Sequence, residues 1–133
     1  MSKYFIAYRH TGADENRLAE LLPAVKNALE NAGHEIYCTY FMNDDFVGAN
    51  LTNRQIMDQA FAQIENIGQV IIILDTNDKS EGMLMEIGYC YAKKIPTTLL
   101  TNDRVTGTYV TEMVDRVINY NVINDLCEKL TRI

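Results

Sequence analysis

Strand-like and helix-like segments alternate along this chain, predicting an α/β domain with a doubly wound sheet of about five parallel strands in three layers. Three observations carry that expectation. Gln69–Leu74 is too apolar for a strand with one wet face, so it belongs at the centre of a parallel sheet. Segments with apolar residues at helical spacing flank it on both sides. At 133 residues, with 47% hydrophobic and 23% charged side chains, the chain suits one domain spanning 1–133, large enough for a core but not for two.

Each element has its own signal. Lys3–Tyr8 reads as the first strand, and the polar turn 9–14 follows it. A helix from Glu15 to Ala32 places Leu18, Leu21, Leu22, Val25 and Leu29 on one face, and Gly33 stops it. Pro23 either kinks this helix or marks a later start. Glu35–Tyr40 alternates Ile36 and Cys38 with polar residues and reads as the second strand, followed by an irregular loop over 41–52. Asn53–Asn66 is a helix with Ile56, Ala60 and Ile64 as its buried stripe, and Gly68 ends it. After the central strand and the polar turn Asp75–Lys79, a mostly apolar helix runs from Ser80 to near Lys94. Pro96–Leu100 is a strand, Tyr109–Asp115 a short helix, Val117–Tyr120 a strand, and Val122–Arg132 the last helix.

Composition narrows the function classes. The net charge of −6 argues against binding a nucleic-acid polymer, which requires a basic surface, but leaves room for a small anionic ligand. Cys38, Cys90 and Cys127 are widely spaced and form no CxxC, so they read as free thiols in a reducing compartment. Nothing resembles a signal peptide, and no apolar run approaches the roughly 20 residues needed to cross a membrane. A cytoplasmic location is the expectation. The cluster Asn43-Asp44-Asp45 lacks the spaced oxygen ligands of a calcium loop, so no metal is expected. P-loop, GxGxxG and GxSxG patterns are absent.

The chemistry points to Glu86. A surface glutamate on a helix usually has a basic partner three or four residues away; here those positions hold Gly82, Met83, Tyr89 and Cys90. An unpaired carboxylate on a mostly apolar helix belongs in a cleft. In a doubly wound sheet, the loops after the first, third and fourth strands meet at the carboxyl edge. That would bring 9–12, 75–82 and 101–107 together. Ser80 is either a plain N-cap or, with Gly82 and Met83 as backbone donors, part of a ligand cradle. Gly82, one turn before Glu86, would leave room above the carboxylate. Tyr4, Ile6 and Tyr8 share a face, and a tyrosine hydroxyl near Glu86 would orient it. Arg9 and His10 are either solvated or in contact with a phosphate. His34 carries no assigned role.

Tyr4-Phe5-Ile6-Ala7-Tyr8, together with Ser80-x-Gly82-x-x-x-Glu86-x-Gly88-Tyr89, resembles the nucleoside 2-deoxyribosyltransferase family, including the related 2′-deoxynucleoside 5′-monophosphate N-glycosidases. The resemblance implies a flavodoxin-like fold and a glutamate, Glu86, that attacks the anomeric carbon and forms a covalent glycosyl-enzyme. A second base or water then releases the sugar, and no cofactor is required. Tyr4 matches the tyrosine that hydrogen-bonds the nucleophile in relatives. Serine at position 80, where transferases acting on free nucleosides tend to carry aspartate, leans toward the monophosphate branch. Thr111 resembles a hydroxyl residue that a neighbouring subunit lends to the phosphate site, which implies a homo-oligomer with sites near the interface. Asp75 is the expected general acid, and the 41–52 loop is expected to set base preference. Two departures stand out: Glu81 adds negative charge beside the phosphate, and Gly68-Gln69 replaces an aspartate often found before the central strand. A Toll/interleukin-receptor-like NAD glycohydrolase and a nucleotide-sensing module without turnover are the alternatives.

Overall fold

The computed structural model describes residues 2–10, 12–42 and 50–133. Asn43-Asp44-Asp45 and most of the loop expected to set base preference lie outside them.

The elements in order are β1 (Lys3–Tyr8), α1 (Glu15–Asn31), β2 (Glu35–Tyr37), a 3-10 turn (Thr39–Met42) and α2 (Asn53–Ile67). Then come β3 (Val70–Leu74), α3 (Glu81–Lys93), β4 (Thr97–Asn102), a 3-10 turn (Val110–Glu112), β5 (Arg116–Tyr120) and α4 (Ile123–Leu130). All five strands are parallel in the order β2-β1-β3-β4-β5. This is the doubly wound, flavodoxin-like order, and the winding reverses between β1 and β3. The register sets Ala7 beside Ile72 and Leu74 beside Thr101.

Local chemistry explains the ends of the elements. Asp14 caps α1 by accepting from the N–H groups of Asn16 and Arg17. α1 continues through Pro23 as one helix, so the later start is ruled out. Thr52 and Gln55 form a reciprocal capping box at α2, with bonds of 3.1 and 2.9 Å. Gly68 ends α2 at φ +85°, a conformation that favours glycine.

Two expected elements are shorter in the structure. β2 is an edge strand with only three paired positions and gives way to a 3-10 turn at Thr39. The short helix expected over 109–115 is a single 3-10 turn.

The strand period splits the core in two. On one face Tyr4, Ile6, Tyr8, Ile71, Ile73 and Leu100 pack against Leu22, Val25 and Leu29 of α1 and Leu126 and Leu130 of α4. On the other, Phe5, Ala7, Ile72, Leu74 and Leu99 pack against Ile64 of α2 and Met83, Ile87 and Cys90 of α3. Every residue of β3 is buried, as a strand covered on both faces requires. Among the described residues, no helix is long and apolar enough to cross a membrane.

Candidate active site

Helix α3 is positioned by its sequence. Ser80 accepts from the Met83 N–H at 3.2 Å and starts it, while Lys94 in the left-handed region closes it. Met83, Ile87 and Cys90 recur at helical spacing and pin the helix to the sheet. Leu84, Met85 and Tyr91 remain exposed on its outer side. Glu86 lies between these faces and is half-buried. Among the described residues, no hydrogen bond or ion pair reaches its carboxylate. Burial alone therefore lifts its pKa to about 7. Tyr89, one turn on, is engaged elsewhere: it bonds Glu65 and stacks on Phe61 with ring centroids 4.4 Å apart.

Asp75, at the end of β3, has the opposite surroundings. Its carboxylate accepts from Arg17 Nε at 2.8 Å and Nη2 at 3.0 Å, from Arg104 Nη2 at 3.2 Å and from the Tyr120 hydroxyl at 2.6 Å. Arg104 Nε also donates to the Asp75 carbonyl at 3.2 Å. Burial works to raise the Asp75 pKa, but the bonds from Arg17 and Tyr120 and the two guanidinium charges hold it below the ordinary carboxylate range. The same contacts raise Arg17, and burial followed by the Asp75 bond raises Tyr120. This geometry opposes the acid role expected for Asp75. A carboxylate held ionised by two arginines has no proton to give.

The β1 tyrosines separate along their strand. Tyr4 packs edge-on against His34 at 5.4 Å, within the core beneath α1. No contact joins it to Glu86. Tyr8 is four residues farther on, about 13 Å along the strand, at the carboxyl end. Its hydroxyl is 3.4 Å from Thr39 Oγ1. Burial lifts Tyr8 to about 12, with Thr39 opposing and the charge of Glu86 adding to the rise. The tyrosine that senses Glu86 is thus Tyr8. Strand alternation puts Tyr4 and Tyr8 on the same face, so sequence parity could not choose between them.

The other expected residues divide similarly. Arg9 folds over Gly12, whose φ is +76° and where a Cβ would meet Arg9 Nη2 at 2.8 Å. No carboxylate pairs with Arg9 among the described residues. His10 is exposed and sets its ring edge-on to Tyr8 at 6.1 Å. Tyr8, Arg9, Arg17, Leu18, Ile73 and Asp75 line a hollow of about 60 Å³ at the β1–β3 crevice, and Glu86 is not part of its lining.

Gly82 lies on α3 one turn before Glu86 and faces a neighbouring helix. Its missing side chain faces Met57 of α2, and a Cβ there would lie 3.6 Å from Met57 Sδ. The Met83 N–H is engaged by Ser80, and its side chain is core. Thr111 is exposed on the second 3-10 turn and donates to the Thr108 carbonyl at 3.4 Å. Sequence reasoning missed Arg17, Arg104 and Tyr120, because nothing local to them marks their meeting at Asp75. Among the described residues, no three His, Cys, Asp or Glu side chains converge as a metal site would require.

The family model described as nucleoside 2-deoxyribosyltransferase matches residues 11–120. The chain belongs to this family. The matched span contains Glu86, Ser80 and Asp75, while Tyr4, Tyr8, Arg9 and His10 precede it. In fold the chain is similar to the Clostridium botulinum CMP N-glycosidase BcmB, with a TM-score of 0.72 and 18% identity over 97% of both chains. It is also similar to the 2-deoxyribosyltransferase of Bacillus psychrosaccharolyticus, with a TM-score of 0.71 and 16% identity over 97% of this chain and 96% of that one. The SEFIR domain of interleukin-17 receptor B is a more distant fold match, with a TM-score of 0.58 and 8% identity over 98% of this chain and 95% of the other. No curated protein matches the sequence.

Proposed function

We propose that this member of the deoxyribosyltransferase family cleaves the N-glycosidic bond of a 2′-deoxynucleoside or its 5′-monophosphate through a covalent glycosyl-Glu86 intermediate. The observation that carries the proposal is the condition of Glu86 itself: half-buried, without a partner among the described residues, and raised to about 7 on a helix packed against β1 and β3. A nucleophile must keep its lone pairs free, and a carboxylate already satisfied by arginines is a poor one. Glu86 displaces the base at C1′. Water or a second base then displaces Glu86, so configuration at C1′ is retained.

Ser80 supports the monophosphate branch, since its hydroxyl accepts in the cap and still has a proton to donate to a phosphate oxygen. Tyr8 is assigned the orienting role beside Glu86. The nucleophile works only when ionised. In the free enzyme kcat/KM therefore rises with pH through about 7, and protonation of Glu86 removes activity below that value.

Assembly of the chain into a homo-oligomer is part of this proposal. The exposed Leu84, Met85 and Tyr91 on α3 support it, and light scattering of the purified chain tests it.

The function is tested by incubating the protein with deoxynucleosides, deoxynucleotides and NAD and following free base by chromatography. Base release from a deoxynucleoside or deoxynucleotide that disappears in Glu86→Ala is the expected result. Nicotinamide as the only released base would overturn it in favour of an NAD glycohydrolase. Thermal stabilisation by a nucleotide without turnover would overturn it in favour of a sensor.

A further inference from the structure

Breaking a C1′–N bond to an ordinary base at neutral pH leaves negative charge on the departing nitrogen, which a proton donor must neutralise. The loops after β1, β3 and β4 offer few donors among the described residues. Asp75 is held as an anion by Arg17, Arg104 and Tyr120. Asp14 spends its carboxylate accepting from two N–H groups at the start of α1. The Tyr8 hydroxyl is displaced upward, away from neutral pH. Asp78, Glu81 and Asp103 are exposed carboxylates. His10 remains. Its imidazole is exposed, no side-chain hydrogen bond occupies its nitrogens among the described residues, and its ring rests edge-on against Tyr8. The charge of Glu86 reaches the Tyr8 hydroxyl, and the Tyr8 ring meets His10 edge-on at the carboxyl end of β1. Histidine is also the side chain that most readily exchanges a proton near neutrality.

We propose that His10, at the end of β1 and against Tyr8, is the proton donor to the departing base. This rests on the proposed glycosyl transfer through Glu86. In the first step a Glu86 oxygen bonds to C1′, the C1′–N bond breaks with its electron pair going to the base, and the imidazolium of His10 gives that nitrogen its proton. The products are glycosyl-Glu86, free base and neutral His10. In the second step water attacks C1′, neutral His10 takes the water proton, and the Glu86 carboxylate leaves. Both side chains return to their starting forms.

The test compares wild type, His10→Gln and His10→Ala on two deoxynucleotides. One carries an unmodified guanine. The other carries N7-methylguanine, which is cationic and departs as a neutral base without a proton. Loss of about 10²- to 10⁴-fold in kcat on guanine is expected, with nearly unchanged kcat on N7-methylguanine. Equal losses on the two substrates would mean that His10 merely binds or supports the loop, overturning the proposal. Unchanged activity on guanine would also overturn it. If the wild type releases no base from either substrate, the glycosyl-transfer function falls and His10's role falls with it. That outcome is distinct from an active wild type with indifferent variants.

Discussion

Asp75, directly after β3, and Glu86, on the helix α3 that follows, are both carboxylates, yet their surroundings differ completely. Asp75, with 11% of its side chain exposed, receives four hydrogen bonds from two arginines and a tyrosine. Glu86, also partly buried, receives none among the described residues. One pKa is driven below the ordinary range and the other is pushed to about 7. The contrast shows that environment, and not residue type, divides structural from chemical work. Asp75 clamps α1, the β3 loop, the β4 loop and β5 to one another, and Asn77 reinforces the clamp by accepting from the Thr106 N–H at 3.0 Å. Among the described residues Glu86 holds nothing, so its carboxylate remains available to a ligand.

If that division is right, neutralising the two carboxylates changes stability in opposite directions. Asp75→Asn should have the largest effect, because it leaves Arg17 without its partner and weakens the Tyr120 bond. A loss of about 3 kcal/mol is expected, or a fall in Tm of roughly 10 °C in thermal denaturation at pH 7. The Asp75 pKa is lowered by folding, so its contribution is present above 3.8, the ordinary value, and fades as pH falls through the lower folded value. The deficit of Asp75→Asn should shrink accordingly in acid. An unchanged Tm at pH 7 would break the comparison.

Glu86→Gln should have the opposite sign. Glu86 is raised from 4.5 to about 7, so its ionisation penalises the folded state increasingly between those values and fully above the higher one. Glutamine removes the penalty. A gain of about 2 to 3 kcal/mol is expected at pH 8, with almost none at pH 4, as read from urea unfolding at the two pH values. Lower stability of Glu86→Gln at pH 8 would mean that Glu86 has a stabilising partner after all. The smallest effect belongs to Ser80→Ala, which removes the cap of the helix that carries Glu86 and should lose about 1 kcal/mol of stability in the same assay.

Much of the fold was legible in the sequence because burial writes itself into local patterns. Val70–Leu74 is apolar on both faces and occupies the centre of the sheet. The spacing of Leu18 to Leu29 marked α1, and Gly68 marked the end of α2. Glu86 stood out by the same kind of local argument, the absence of a cation one turn away. What stayed hidden depends on distance along the chain. Arg17 is 58 residues from Asp75 and Arg104 is 29, so no window of sequence joins them. The approach of Met57 to Gly82 is equally invisible in the sequence, because Met57 comes from another helix. The choice between Tyr4 and Tyr8 required knowing which end of β1 faces the site, which the shared parity of the two residues conceals.

The central claim is that Glu86 is the nucleophile, and the most direct measurement is the intact mass of the protein quenched during turnover of a deoxynucleotide. A mass increase of one deoxyribosyl or deoxyribosyl-phosphate unit is expected, localised by peptide mapping to Glu86 and absent from Glu86→Gln. An adduct on another residue, or base release that continues undiminished in Glu86→Gln, would contradict it.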